Sequence, residues 1–100
     1  QVELAIAGIE RAAGRTAVLV DDLVSSGGTI RAAARLLREA GAARIEVLAT
    51  HCLAAEDDLA GLSEAGISAL RATDTVAGPA SVVPVAGLLA GELRRLGWVD

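Results

Sequence analysis

Residues 18–30 read Val-Leu-Val-Asp-Asp-Leu-Val-Ser-Ser-Gly-Gly-Thr-Ile. The apolar, β-branched run that begins at Thr16 predicts a strand over 16–20, buried on both faces as in a parallel sheet. Two adjacent carboxylates, Asp21 and Asp22, follow it at the sheet's upper edge. The small residues Ser25, Ser26, Gly27, Gly28 and Thr29 then form a loop that turns into a helix, expected over 29–40. Ile30, Ala33, Ala34 and Leu37 recur at helical spacing, and Gly41 is placed to close the helix. A helix start leaves backbone N–H groups unpaired and carries partial positive charge. Gly27 and Gly28 let the backbone come close to an anion, and Ser25, Ser26 and Thr29 add hydroxyl donors. The segment therefore reads as a phosphate cradle without lysine.

The carboxylates would repel that same phosphate. They suit a vicinal diol or a divalent cation instead. A ligand with a diol at one end and a phosphomonoester at the other satisfies both halves, and ribose 5-phosphate is such a ligand. The plainer alternative is that Asp21 and Asp22 cap a turn. An acid pair directly between a buried strand and a Gly-Gly loop weighs against it.

Outward from this unit, the pattern continues. Val2, Leu4 and Ile6 alternate with Glu3, Ala5 and Ala7, which predicts a strand over 2–7 with one buried face. Residues 8–15 read as a connection. A strand is expected over 45–50, a helix over 55–65 with Leu59 and Leu62 inward, and a strand over 67–72. A short strand is expected over 82–85, at the sheet edge if Pro84 lies within it. A last helix is expected over 86–96 with the stripe Leu89, Leu93 and Leu96. This alternation predicts an α/β fold, a mainly parallel sheet flanked by helices. In such sheets ligands bind beyond the carboxyl ends of the strands, where the Asp-Asp loop lies.

Composition narrows the chemistry. The chain has 100 residues, room for one core. It is 53% apolar with a mean hydropathy of +0.51, which excludes a disordered tail. All nine basic residues are Arg; Lys, Phe, Tyr and Met are absent, and Trp98 is the one aromatic. Without Lys there is no Walker-type P-loop and no Schiff-base chemistry. A single aromatic makes no base-stacking platform, and a net charge of −4 argues against a nucleic-acid partner. No apolar run reaches the roughly 20 residues of a membrane helix. A single Cys, Cys52, excludes an internal disulfide framework and a Cys-rich zinc site, and points to a reducing, cytoplasmic setting. No signal or transit pattern is visible. The start at Gln1 suggests a piece of something longer.

The strand, acid pair and Gly-Thr loop resemble the phosphoribosyl pyrophosphate (PRPP) motif of the type I phosphoribosyltransferase fold. The resemblance implies that Asp21 and Asp22 contact ribose hydroxyls and that the loop Ser25, Ser26, Gly27, Gly28 and Thr29 holds the 5-phosphate. Many members carry a third acid where this chain has Ser25, and its absence weakens a base-transfer reading. Three further segments point to one branch. Ala49-Thr50-His51 resembles the Thr-His of ribose-phosphate pyrophosphokinases (PRPP synthetases). Thr73-Asp74-Thr75-Val76 resembles their Thr-Asn/Asp-Thr-Ile segment. The run from Val85 to Leu93 resembles their closing helix.

That resemblance implies an incomplete domain over 1–100, the later part of the second of two similar domains. It implies transfer of diphosphate from ATP to ribose 5-phosphate, giving PRPP and AMP, with Mg²⁺ as cofactor and a homo-oligomer as the working form. ATP would be engaged through parts of the protein outside this chain. No catalytic residue falls within 1–100, and a metal site is not assigned. The alternatives are a PRPP-dependent phosphoribosyltransferase and a non-catalytic, regulatory relative. The isolated piece is expected to expose an apolar sheet edge or face.

The remaining polar groups have plainer readings. Arg31, Arg35 and Arg38 read as a solvated helix face rather than an anion patch. Glu56, Asp57 and Asp58 complement a helix N-terminus rather than a metal. His51 reads as structural or supporting, Cys52 as a small buried residue, and Trp98 as a packing anchor or a contact for chain beyond this sequence.

Overall fold

The computed structural model describes residues 5–100. A 3-10 turn, Ile9–Ala12, precedes β1 (Thr16–Val24), α1 (Gly28–Glu39), β2 (Arg44–Cys52) and α2 (Glu56–Glu64). β3 (Ala69–Thr73), β4 (Ser81–Val83) and α3 (Ala86–Arg95) complete the chain. The four strands form one sheet in the order β1-β2-β3-β4, with every pair parallel. This is the α/β architecture expected from the alternation of elements.

α1 forms because its apolar positions share a face. Ile30, Ala34 and Leu37 share one buried core with β2, whose Ile45, Val47 and Ala49 alternate inward, and Ala33 is buried beside them in sequence. Gly41, at φ 90°, ends the helix; its N–H donates to the Arg38 carbonyl and that of Ala42 to the Leu37 carbonyl. Those two bonds satisfy carbonyls that a helix end leaves unpaired, and a left-handed φ favours glycine there. α2 closes in the same manner, Ile67 donating to Leu62, and sends Leu62 into the same core. The Asp58 carboxylate accepts the Ala55 N–H at 3.1 Å. The acidic first turn thus serves the helix start, and no metal-binding group of three or more His, Cys, Asp or Glu exists among the described residues.

Several expectations need correction. The strand expected over 2–7 is absent over 5–7, where Ile6 packs laterally against the core without ladder pairing; residues 1–4 lie outside the described residues. The connection over 8–15 contains the 3-10 turn. β1 does not stop at Val20. It runs on to Val24, because β2 continues alongside and offers partners as far as Cys52. Nor is β1 buried on both faces: Val18 is 52% and Val20 78% exposed, since among the described residues no helix covers that side of the sheet. β4 ends before Pro84, whose ring nitrogen cannot donate to a ladder.

The stripe of α3 is not inward. Leu89 and Leu96 are exposed, no α3 residue is buried, and Trp98 is 73% exposed rather than a packing anchor. Among the described residues α3 finds no apolar surface to lie on. The expected bare apolar face is present as Val18, Val20 and Leu48, neighbours on adjacent strands.

Candidate functional site

β1 carries the acid pair within the ladder, and the consequence is geometric. Asp21 pairs in register with Ala49 of β2. Successive side chains of a strand leave opposite faces, so Asp21 is half-buried on the helix-covered side while Asp22 is exposed on the bare side. The Asp22 N–H donates to Asp21 Oδ1 at 2.8 Å, which leaves that carboxylate tied to its own backbone.

Past Val24, which is 1% exposed, the chain turns through Ser25 and Ser26 to Gly27. Gly27 lies at φ 90° as the cap residue of α1, and its carbonyl accepts the Arg31 N–H at 2.8 Å. No side chain caps this helix. The N–H groups of Gly28, Thr29 and Ile30 precede the first helical hydrogen bond and are open to a ligand.

A cavity of about 60 Å³ sits at this point, lined by Asp21, Leu23, Val24, Ser25, Gly27, Gly28, Thr29 and Ile30. Its enclosed part is small, so a ligand larger than a few atoms would extend from it into solvent. Of the residues singled out in the sequence, Asp21, Ser25, Gly27, Gly28 and Thr29 meet in it. Ser26 and Asp22 do not line it. Chemically it offers amide and hydroxyl donors at the helix start, with one carboxylate on the strand side. Donors of this kind suit an anion, and a carboxylate suits a hydroxyl group.

The next strand ends add a hydroxyl network. His51 Nδ1 is 2.6 Å from Thr75 Oγ1, and Thr75 Oγ1 is 3.0 Å from Thr73 Oγ1. Thr73 Oγ1 donates to the Thr50 carbonyl. Thr50, His51, Thr73 and Thr75 thereby tie the carboxyl ends of β2 and β3 together. Asp74 Oδ1 accepts the Val85 N–H at 3.0 Å and holds the start of α3. The sequence marked these segments without showing that they bond to one another, because they are separated along the chain and meet only when β3 lies beside β2. Cys52 is 2% exposed, as a small buried residue should be. Arg31, Arg35 and Arg38 are exposed, and Arg38 Nη1 donates to the Ala65 carbonyl at 3.2 Å.

Comparison with known proteins adds three findings. Residues 3–90 match a family described as phosphoribosyl synthetase-associated domain. Ribose-phosphate pyrophosphokinase 1 of Archaeoglobus fulgidus is 45% identical over 76 residues, and the ribose-phosphate pyrophosphokinase of Methanothermobacter thermautotrophicus 41% over 81. Those alignments cover 76% and 81% of this chain but only 27% and 28% of the relatives. A crystal structure of phosphoribosylpyrophosphate synthetase from Mycobacterium smegmatis superposes with a TM-score of 0.74 at 33% identity, over 87% of this chain and 32% of that one. The chain therefore spans about a third or less of each of these proteins.

Proposed function

Because the chain belongs to the phosphoribosyl synthetase-associated domain family, we propose that its loop Ser25–Thr29 holds the phosphate of ribose 5-phosphate and that Asp21 and Asp22 hold the sugar. In this reading the protein of which it forms part makes PRPP and AMP from ribose 5-phosphate and ATP. The observation that carries the reading is the cavity in which Asp21 meets Ser25, Gly27, Gly28 and Thr29. The phosphate oxygens take the amide N–H groups at the start of α1 and the Ser25 and Thr29 hydroxyls. Asp21 accepts a ring hydroxyl from within the cavity. Asp22, exposed next to it on β1, is the outer and less enclosed of the two carboxylates.

What these residues contribute is position. A diphosphoryl transfer depends on alignment and charge neutralisation rather than on a protein nucleophile. A sugar held by its phosphate at one end and by carboxylates at the other presents its 1-hydroxyl in one orientation. The third acid that base-transferring enzymes often use is replaced by Ser25, which favours the synthetase over a phosphoribosyltransferase.

Mg²⁺ fits this site in a limited way. Carboxylate oxygens are the hard ligands it takes, and it is usually held by one or two of them together with substrate oxygens and water. Asp21 can supply one such oxygen at the cavity, and no wider acidic cage exists among the described residues. When bound, the ion would neutralise charge on the transferred group. The same reading places the protein in the cytoplasm, as a homo-oligomer; the exposed Leu89 and Trp98 offer apolar surface for further protein. Among the described residues no helix is long and apolar enough to cross a membrane.

The test is a calorimetric titration of the chain with ribose 5-phosphate, ribose and inorganic phosphate. Ribose 5-phosphate should bind more tightly than either half alone. Equal affinity for ribose 5-phosphate and ribose would refute the phosphate cradle.

A further inference from the structure

Leu62 sits on α2, far from the loop in sequence, yet it decides what Gly27 can be. A Cβ on Gly27 would stand 2.8 Å from Leu62 Cδ2 and 3.0 Å from Cδ1. Contacts under 3.0 Å force something to move, and Leu62 is only 1% exposed within the core. A Cβ at position 27 would therefore press on a packed core leucine rather than on an exposed side chain. The contact also works in reverse: the branched methyl end of Leu62 is what Gly27 rests on.

Leu62 is not among the residues that line the cavity, so it supports the loop from outside the ligand space. The adjacent Gly61 makes a second contact. A Cβ there would lie 2.6 Å from Arg31 Nη2, and the Arg31 N–H is the one that bonds back to the Gly27 carbonyl. One turn of α2 thus touches both residues of the first hydrogen bond of α1.

We propose that Leu62 is a positioning residue for the anion loop: packed under Gly27, it holds that residue left-handed and so aims the Gly28 and Thr29 N–H groups into the cavity. Leu62 touches no ligand. The proposal rests on the reading of the loop as a phosphate site, and it extends that site to a helix the motif does not include. Branched methyl groups at position 62 keep the cradle in shape before a ligand arrives, which is where preorganisation gains affinity.

The experiment compares Leu62→Val with Leu37→Val, a similarly buried leucine on α1 that serves as the stability control. Backbone ¹⁵N relaxation and titration with ribose 5-phosphate are both read. Leu62→Val should lower the order parameters of Gly27, Gly28 and Thr29 and weaken ribose 5-phosphate at least threefold. Leu37→Val should do neither at a matched drop in melting temperature. If Leu62→Val does not fold, Leu62→Met keeps the volume, replaces the branched end and should show the same loosening of the loop. Equal effects at 62 and 37, or an unchanged loop, overturn the proposal. Loosening of the loop by Leu62→Val, together with no binding of ribose 5-phosphate by the wild-type chain, supports the role of Leu62 and overturns the sugar-phosphate reading instead.

Discussion

Asp21 and Asp22 are neighbours in sequence and face opposite sides of the sheet. Only Asp21 lines the cavity, so the two should differ on substitution. Asp21→Asn is expected to weaken ribose 5-phosphate at least tenfold, since hydrogen bonds to a charged group contribute about 1.5–3 kcal/mol. Asp22→Asn should cost less, and calorimetry on both variants compares them. Equal losses would mean that the sugar lies across the top of the strand rather than in the cavity. The two loop glycines should also separate. Gly27→Ala meets both a left-handed φ and the Leu62 methyl groups, and should destabilise by about 1–3 kcal/mol. A Cβ on Gly28 meets nothing within 4 Å, and its φ is not positive. Gly28→Ala should leave the urea midpoint near that of the wild type.

At the scale of elements, β2 and β3 are joined on the bare face by a small charge ladder. Glu46 takes Arg71 Nη1 at 2.8 Å and Arg44 Nε at 3.0 Å. The Arg71 hydrogen bond first, then that of Arg44, holds the Glu46 carboxyl below its ordinary value. A carboxyl whose value is depressed on folding contributes stability that is complete above its unfolded value and is lost as pH falls through its folded one. The loss should therefore begin below about pH 4.3. It should be small, because the group is exposed to solvent screening. Glu46→Gln should flatten this part of the acid profile, measured by urea midpoints from about pH 6 to about pH 3. An unchanged profile would mean that the ladder adds nothing to stability.

The element boundaries show where periodicity alone ran short. Helices 28–39, 56–64 and 86–95 lay close to the periods of their leucines and alanines, because helical spacing is a local property. β1 ran four residues further than its apolar run, since pairing with β2 extends a strand through polar residues that would otherwise end it.

The molecule as a whole is extended. Its radius of gyration is 16.0 Å, against about 13 Å for a compact chain of this length. α3 with its exposed leucines stands off one end, and β1 leaves Val18 and Val20 bare at the other edge of the sheet. Exposed strand edges and apolar faces favour association. Sedimentation should therefore show concentration-dependent self-association, and Val20→Asp should reduce it. A monomer at high protein concentration would contradict this. Turnover is the other whole-molecule property. The chain has no Lys, and in the proposed reading its loop engages the sugar phosphate while ATP is held by other parts of the protein. Incubated with ribose 5-phosphate, ATP and Mg²⁺, the chain alone should form no AMP. Steady AMP release would mean that its arginines supply the cations for transfer.

The residue order by itself determined the alternation of strands and helices, the α/β class and the loop that opens α1. These depend on side-chain period and on the needs of a helix start, which are written in consecutive residues. The resemblance to PRPP synthetases, rather than side-chain period, marked the segments that hold Thr50, His51, Thr73 and Thr75. Only the tertiary structure decided that these four bond across two strand ends, that one face of β1 is bare, and that Asp21 enters the cavity while Asp22 does not. It alone placed Leu62 beneath Gly27. Each of these depends on which strands and helices lie side by side, and burial and cross-strand contact exist only once that packing is made.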